Sequence, residues 1–151
     1  MFELIMPVEE LEVRSRSPLF VAGQIWAVID GVDFPGARWT DSPISVLGSL
    51  GTAIHAVRRG EVGEVYFFDG PYYLKFIPEN RLDSTSLKIG VVAVCDRDSD
   101  EGVARIRGKV ALSEVMQKYQ LTISFLRGWA ESQGEAAVLD LLSHMPSVTP
   151  H

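Results

Sequence analysis

The sequence has little of what secreted, membrane and disulfide-bonded proteins need. It contains one cysteine, Cys95, in 151 residues, which excludes a disulfide framework and a multi-cysteine zinc site. No apolar run reaches the roughly 18–20 residues that a membrane-spanning helix needs. Residues 1–7 carry neither the basic start nor the apolar core of a signal peptide. We therefore expect a cytoplasmic protein that makes no membrane contact.

A catalytic or cofactor motif is also lacking. His55 is followed four residues later by Arg59, whose charge would repel a metal ion. The glycines form no phosphate loop, nucleophile elbow or dinucleotide fingerprint. The acidic run at residues 96–102 begins like a calcium loop, but it has Glu101 where that loop needs glycine and Arg107 where it needs glutamate. We therefore expect no cofactor, no bound metal and no enzymatic activity.

The charged residues show an acidic excess. The chain has 14 lysines and arginines against 20 aspartates and glutamates, a formal net charge of −6. A negative surface repels phosphate backbones, so nucleic-acid binding is disfavoured. The same charge suits a basic protein partner, although solubility alone is the simpler interpretation.

Composition and periodicity predict one α+β domain. A hydrophobic share of 46% and a charged share of 23% are typical of a globular chain, and a chain of this length normally forms one domain. Strand-like stretches precede and follow a predicted helix, which begins at Pro43 with Asp41 or Ser42 as its cap and ends near Gly60. Helical spacing resumes at residue 112 and breaks between residues 128 and 134.

The predicted strands are joined by short turns, so we expect a mainly antiparallel sheet. One central helix and the C-terminal helices should pack on one face of that sheet. Residues 18–30 are predicted as one long strand-like stretch with a bend at Gly23. We place the domain at residues 1–146 and expect residues 147–151 to form a loose C-terminal tail.

The Asp69-Gly70-Pro71 turn predicts a hairpin with aromatic residues on both arms. Strand alternation places Tyr73 on one face and Tyr72 on the other, so half of the aromatic rings should be core and half exposed. Exposed tyrosine and tryptophan rings are common anchors of protein interfaces. The hairpin is therefore a candidate contact surface.

Two sequence blocks carry a family resemblance. Residues 39–48, WTDSPISVLG, lead into the predicted helix, and residues 66–72, YFFDGPY, form the predicted hairpin. In these blocks, and in its helical C-terminal part, the chain resembles small bacterial immunity-type proteins, which accompany polymorphic or contact-dependent toxins. The resemblance implies a small, acidic, cytosolic protein without catalytic residues that binds and blocks a toxin domain. It carries over no particular binding residue.

We therefore predict a non-enzymatic protein-binding module, an immunity-type inhibitor whose partner would be a basic toxin domain. The predicted partner-binding residues are aromatic anchors and charged groups around the hairpin: Trp39, Asp41, Asp69, Tyr72 and Tyr73. The acidic turn is a second candidate surface: Asp96, Asp98, Asp100 and Glu101.

Two alternatives stay open. The first is a small-molecule-binding protein or enzyme whose site forms only in the fold, between the sheet and the central helix, with His55, Tyr66 or Arg105 in it. The second is a structural homodimer joined through an edge strand or the C-terminal helices. The basic residues Arg105, Arg107 and Lys109 alternate along one predicted strand, and we interpret them as its solvated face.

Overall fold

A computed structural model describes residues 1–79, 87–95 and 103–148 of the chain. The described residues form ten strands, a short 3-10 turn (Val8–Glu10) and three α-helices. In chain order the strands and helices are β1 (Phe2–Ile5), β2 (Glu12–Arg16), β3 (Leu19–Gln24), β4 (Trp26–Ile29), β5 (Val32–Phe34), β6 (Thr40–Asp41), α1 (Pro43–Arg58), β7 (Gly63–Phe67), β8 (Tyr72–Pro78), β9 (Lys88–Cys95), β10 (Val103–Ala111), α2 (Leu112–Gln133) and α3 (Ala136–Ser143).

The predicted α+β class is confirmed, and every strand pair in the described residues is antiparallel. The strands form three sheets rather than one, in the orders β1-β4-β5, β2-β3-β6 and β10-β9-β8-β7. The four-stranded sheet packs its inner face on the small sheet β1-β4-β5, where the Phe2 and Phe76 rings meet edge to face at 6.4 Å. The inner face of the four-stranded sheet is therefore covered by a second sheet as well as by helices.

The stretch at residues 18–30 divides at Ile25, which is fully buried. The Ile25 N–H donates to the Trp39 carbonyl at 2.8 Å, outside either flanking strand. Just before it, a Cβ atom on Gly23 would lie 2.7 Å from Leu11 Cδ2, so the backbone runs too close to Leu11 for a side chain. The division sends β3 to one sheet and β4 to another.

Helix α1 begins at Pro43, as predicted, and lies directly against β7. A Cβ atom on Gly63 would lie 2.6 Å from the Ala53 carbonyl oxygen of α1, so only glycine allows this approach. The Ser49 hydroxyl accepts the Tyr66 N–H at 2.8 Å and donates to the Glu64 carbonyl at 3.3 Å. Helix α1 thus satisfies backbone groups at the free edge of β7, which protects that edge from pairing with another chain.

Helix α2 runs through Gly128 and ends where Gly134 adopts the left-handed conformation, with φ of 67°. The tail at residues 147–151, predicted to be loose, is packed against the fold at Val148. Val148 is 3% exposed, its carbonyl accepts a hydrogen bond from the Gln120 side chain, and the Tyr119 hydroxyl donates to the Pro146 carbonyl at 2.8 Å. Val148 therefore packs on α2, Ser147 is exposed, and residues 149–151 lie outside the described part.

Candidate functional site

The Asp41 carboxylate fixes the hairpin β7–β8 to the segment that precedes α1. Asp41 is 5% exposed. Its Oδ1 accepts the backbone N–H groups of Ser42 at 2.7 Å and Phe68 at 3.1 Å, and its Oδ2 accepts Trp39 Nε1 at 2.8 Å and the Asp69 N–H at 3.2 Å. Four donors compensate the burial of one carboxylate, so this group holds structure together.

The inner face of the hairpin carries an aromatic cluster that belongs to the core. Tyr72 meets Phe34 edge to face at 5.7 Å and Trp39 at 5.3 Å, and Phe34 also meets Phe67 at 5.8 Å. Edge-to-face pairs at these centroid distances stabilise a fold beyond the burial of their area. Together with Asp41, this cluster makes the hairpin a rigid support.

The outer face carries three further rings, which we call the outer aromatic patch: Tyr66, Phe68 and Tyr73. Tyr66 is 45% exposed and Phe68 is 57% exposed, whereas Tyr73 is half-buried. Tyr66 pairs with Tyr73 across the two strands, with ring centroids 5.9 Å apart, and its centroid lies 6.4 Å from that of Phe68. The rings therefore form one contiguous apolar surface.

Carboxylates border the outer aromatic patch. The Tyr66 hydroxyl donates a hydrogen bond to Glu64, and this bond raises the pKa of Tyr66 with a smaller contribution from burial. Asp69 is exposed in the turn beside Phe68. On the same face of the sheet, Lys75 lies opposite Glu64 in the register. The surface can thus offer apolar area, a phenol and charges of both signs to a partner.

The structure separates the five hairpin candidates by role. Asp41 is buried, whereas Trp39 and Tyr72 are half-buried and pack against each other in support of the hairpin. Asp69 and Tyr73 lie at the turn and on the outer face, as a binding role requires.

The prediction omitted Tyr66 and Phe68, the most exposed aromatic residues of the hairpin. The signal was present in the alternation of β7, where Val65 and Phe67 are apolar core residues and their neighbours Tyr66 and Phe68 fall on the opposite face. Extending the face assignment made for β8 to β7 would have found them.

The second candidate surface lies outside the described residues. Asp96, Asp98, Asp100 and Glu101 all fall within residues 96–102, of which the structure describes nothing. Their role in binding stays a prediction.

The residues named for the alternative site between the sheet and α1 do not all face α1. At Gly63, small residues bring α1 into direct contact with β7, because a Cβ atom there would lie 2.6 Å from the Ala53 carbonyl oxygen. Tyr66 lies on the outer face of the sheet, and the Arg105 side chain is outside the described part. Also on β10, Lys109 pairs with Glu79 at 3.0 Å, in keeping with a solvated sheet face.

Within residues 1–79, 87–95 and 103–148, no three His, Cys, Asp or Glu side chains come together as a metal site. In that same part of the chain, no helix has both the length and the apolar character to cross a membrane. Comparisons with protein-family models, curated proteins and solved structures found no match for this chain.

Proposed function

We propose that this chain is a non-enzymatic protein-binding module of the immunity type, which binds and blocks a basic toxin domain through the outer aromatic patch. The observation that carries the proposal is the pair of Tyr66 and Phe68, about half exposed on a hairpin held rigid from behind. Large rings on a fixed support lose little conformational entropy on binding, which is why such residues dominate interface energies.

The net charge of the whole chain supports a basic partner, since it is −6. Glu64 and Asp69 lie beside the exposed rings, with Lys75 opposite Glu64 on the same face. Opposite charge on a partner would speed the encounter, while the rings would supply the affinity. The toxin as target is suggested by the resemblance of residues 39–48 and 66–72 to immunity-type proteins, and it is the part of the proposal that needs the most direct test.

The test combines affinity capture of partner proteins with a growth assay. Tagged protein would be used to capture partners from a lysate of the cells that carry its gene, and each captured protein would be expressed alone in a host without this chain. We expect one captured protein to arrest growth, and co-expression of the wild-type chain to restore it. The variant Tyr66→Ser/Phe68→Ser should fail to restore growth, whereas the matched surface variant Val32→Ser/Leu121→Ser, outside both the patch and the α2 groove, should succeed.

Each failure has a different meaning. If no captured protein arrests growth, the inhibitor function is wrong. If growth is restored equally by the wild-type chain and by Tyr66→Ser/Phe68→Ser, the inhibitor function stands but the assignment of the surface is wrong. Thermal unfolding of both variants checks that they are folded, since all four side chains are 45% exposed or more.

A further inference from the structure

A second surface is a groove between α2 and the segment that contains the 3-10 turn and β2. The groove has a volume of about 810 Å³. Phe125 and Trp129, one helical turn apart, form one wall, while Val8, Leu11 and Val13 form the other. Phe125 is 52% exposed and Val8 is 37% exposed, so the walls are apolar and accessible. We call this feature the α2 groove.

Gly128 is one of the residues that line the α2 groove. It lies in the interior of α2, where glycine is less favourable than every residue except proline. A Cβ atom on Gly128 would meet nothing within 4 Å, unlike Gly51 and Gly63, whose Cβ atoms would clash with neighbouring elements. Packing within the chain therefore does not require glycine at position 128, whereas close approach of an occupant would.

The charge of the groove lining is negative. Its charged side chains are three carboxylates, Glu9, Glu12 and Glu135, and one guanidinium, Arg16. Arg16 donates two hydrogen bonds to Glu135, at 2.7 and 3.0 Å, and this bridge lowers the pKa of Glu135. The bridge joins β2 to the start of α3. Glu12 lies 3.7 Å from Arg14 on the same strand, so Glu9 is the carboxylate of the groove lining for which the described residues show no ion pair.

We propose that the α2 groove binds a basic amphipathic helix of a partner protein. An amphipathic helix places apolar side chains at every third or fourth position, which matches the spacing of Phe125 and Trp129 on the facing helix. Its lysine or arginine residues would then lie beside Glu9. The groove and the outer aromatic patch use different elements, so this proposal does not depend on the toxin or on the hairpin.

The probe is an 18-residue helical peptide of leucine and lysine with helical spacing, compared with a leucine and glutamate peptide of the same pattern. Fluorescence anisotropy of the labelled peptides would give the dissociation constants. We expect the lysine peptide to bind the wild-type chain at least tenfold tighter than the glutamate peptide. Gly128→Leu, which fills the groove from an open helix position, should weaken binding of the lysine peptide at least tenfold.

Two controls separate the groove from general attraction. Glu9→Lys and Glu61→Lys change the net charge equally, but only Glu9 lines the groove. We expect Glu9→Lys to weaken binding of the lysine peptide at least fivefold and Glu61→Lys to weaken it less than twofold. Phe68→Ser, on the outer aromatic patch, should leave binding unchanged.

Three outcomes would overturn the proposal. The first is that the lysine peptide does not bind the wild-type chain, and the second is equal binding to the wild type and to Gly128→Leu. The third is a wild-type dimer in sedimentation velocity that Gly128→Leu dissociates, because a second copy of the chain would then be the occupant. Thermal unfolding of Gly128→Leu shows whether its fold is intact, and Phe125→Ser provides an independent loss of the groove wall.

Discussion

The two faces of the hairpin β7–β8 use the same residue types for different purposes. On the inner face, Tyr72 packs edge to face against rings from two other segments. On the outer face, Tyr66 and Phe68 are about half exposed. The comparison teaches that aromatic content does not identify a binding surface. Strand register identifies the binding surface, because it determines which rings are buried in the core and which stay exposed to a partner.

The largest loss of stability should come from removing the Asp41 carboxylate, which supports both faces of the hairpin. Asp41→Ala leaves four hydrogen-bond donors without their acceptor, so we expect a loss of about 3 kcal/mol or more in the free energy of unfolding. Asp41→Asn, which keeps one oxygen, should lose less. Urea unfolding of both variants measures this. A loss below that of an ordinary surface substitution in Asp41→Ala would show that the carboxylate does not hold the hairpin.

Two neighbouring tyrosines give the most direct comparison of the faces. Tyr72→Ala removes a ring from the inner cluster and should lower the free energy of unfolding by about 2–3 kcal/mol. Tyr73→Ala removes a ring from the outer face and should lower it by less than about 1 kcal/mol. Both values come from the same urea titration, and equal losses would contradict the assignment of the faces.

Tyr119, a buried tyrosine away from the hairpin, should make the stability of the fold depend on pH. Burial raises the pKa of Tyr119 to about 12, so the folded state favours the neutral phenol. The resulting stability is fully present below pH 10 and is lost as the pH rises toward 12. Tyr119→Phe should lower stability by about 1 kcal/mol at neutral pH, because the bond to the Pro146 carbonyl is lost, and should flatten the decline above pH 10. An unchanged alkaline decline would assign it to other groups.

The smallest expected effect is a change in the pKa of Tyr66, on the outer face of the hairpin. The hydrogen bond from Tyr66 to Glu64 is the main cause that raises the Tyr66 pKa, so Glu64→Gln should lower that pKa. Ultraviolet titration of wild type, Glu64→Gln and Tyr66→Phe assigns the transition to Tyr66. If Glu64→Gln leaves the transition where it is, the hydroxyl is not paired with Glu64 in solution.

Local patterns predicted the elements on which the site depends. Pro43 marked the start of α1, and the turn at residues 69–71 marked the hairpin, as the structure bears out. The alternation of β8 assigned Tyr72 and Tyr73 to opposite faces. These features depend on near neighbours in the chain, where backbone sterics and strand periodicity act directly.

Contacts between distant residues could not be predicted in the same way. Asp41 looked like a helix cap or a binding residue, because nothing in its neighbourhood shows that two of its donors, the N–H groups of Phe68 and Asp69, come from the hairpin turn. The division of residues 18–30 at Ile25 likewise depends on a carbonyl from residue 39. The helix break predicted between residues 128 and 134 falls at Gly134, so α2 continues through Gly128.

The central claim is that the outer aromatic patch binds the partner protein, whereas the aromatic cluster on the inner face supports the hairpin. The most direct test measures both properties on one variant, Tyr66→Ser/Phe68→Ser, using urea unfolding and its affinity for the captured partner. We predict a free energy of unfolding within about 1 kcal/mol of wild type and a loss of affinity of about 30-fold or more. Undiminished affinity in a folded variant would contradict the claim.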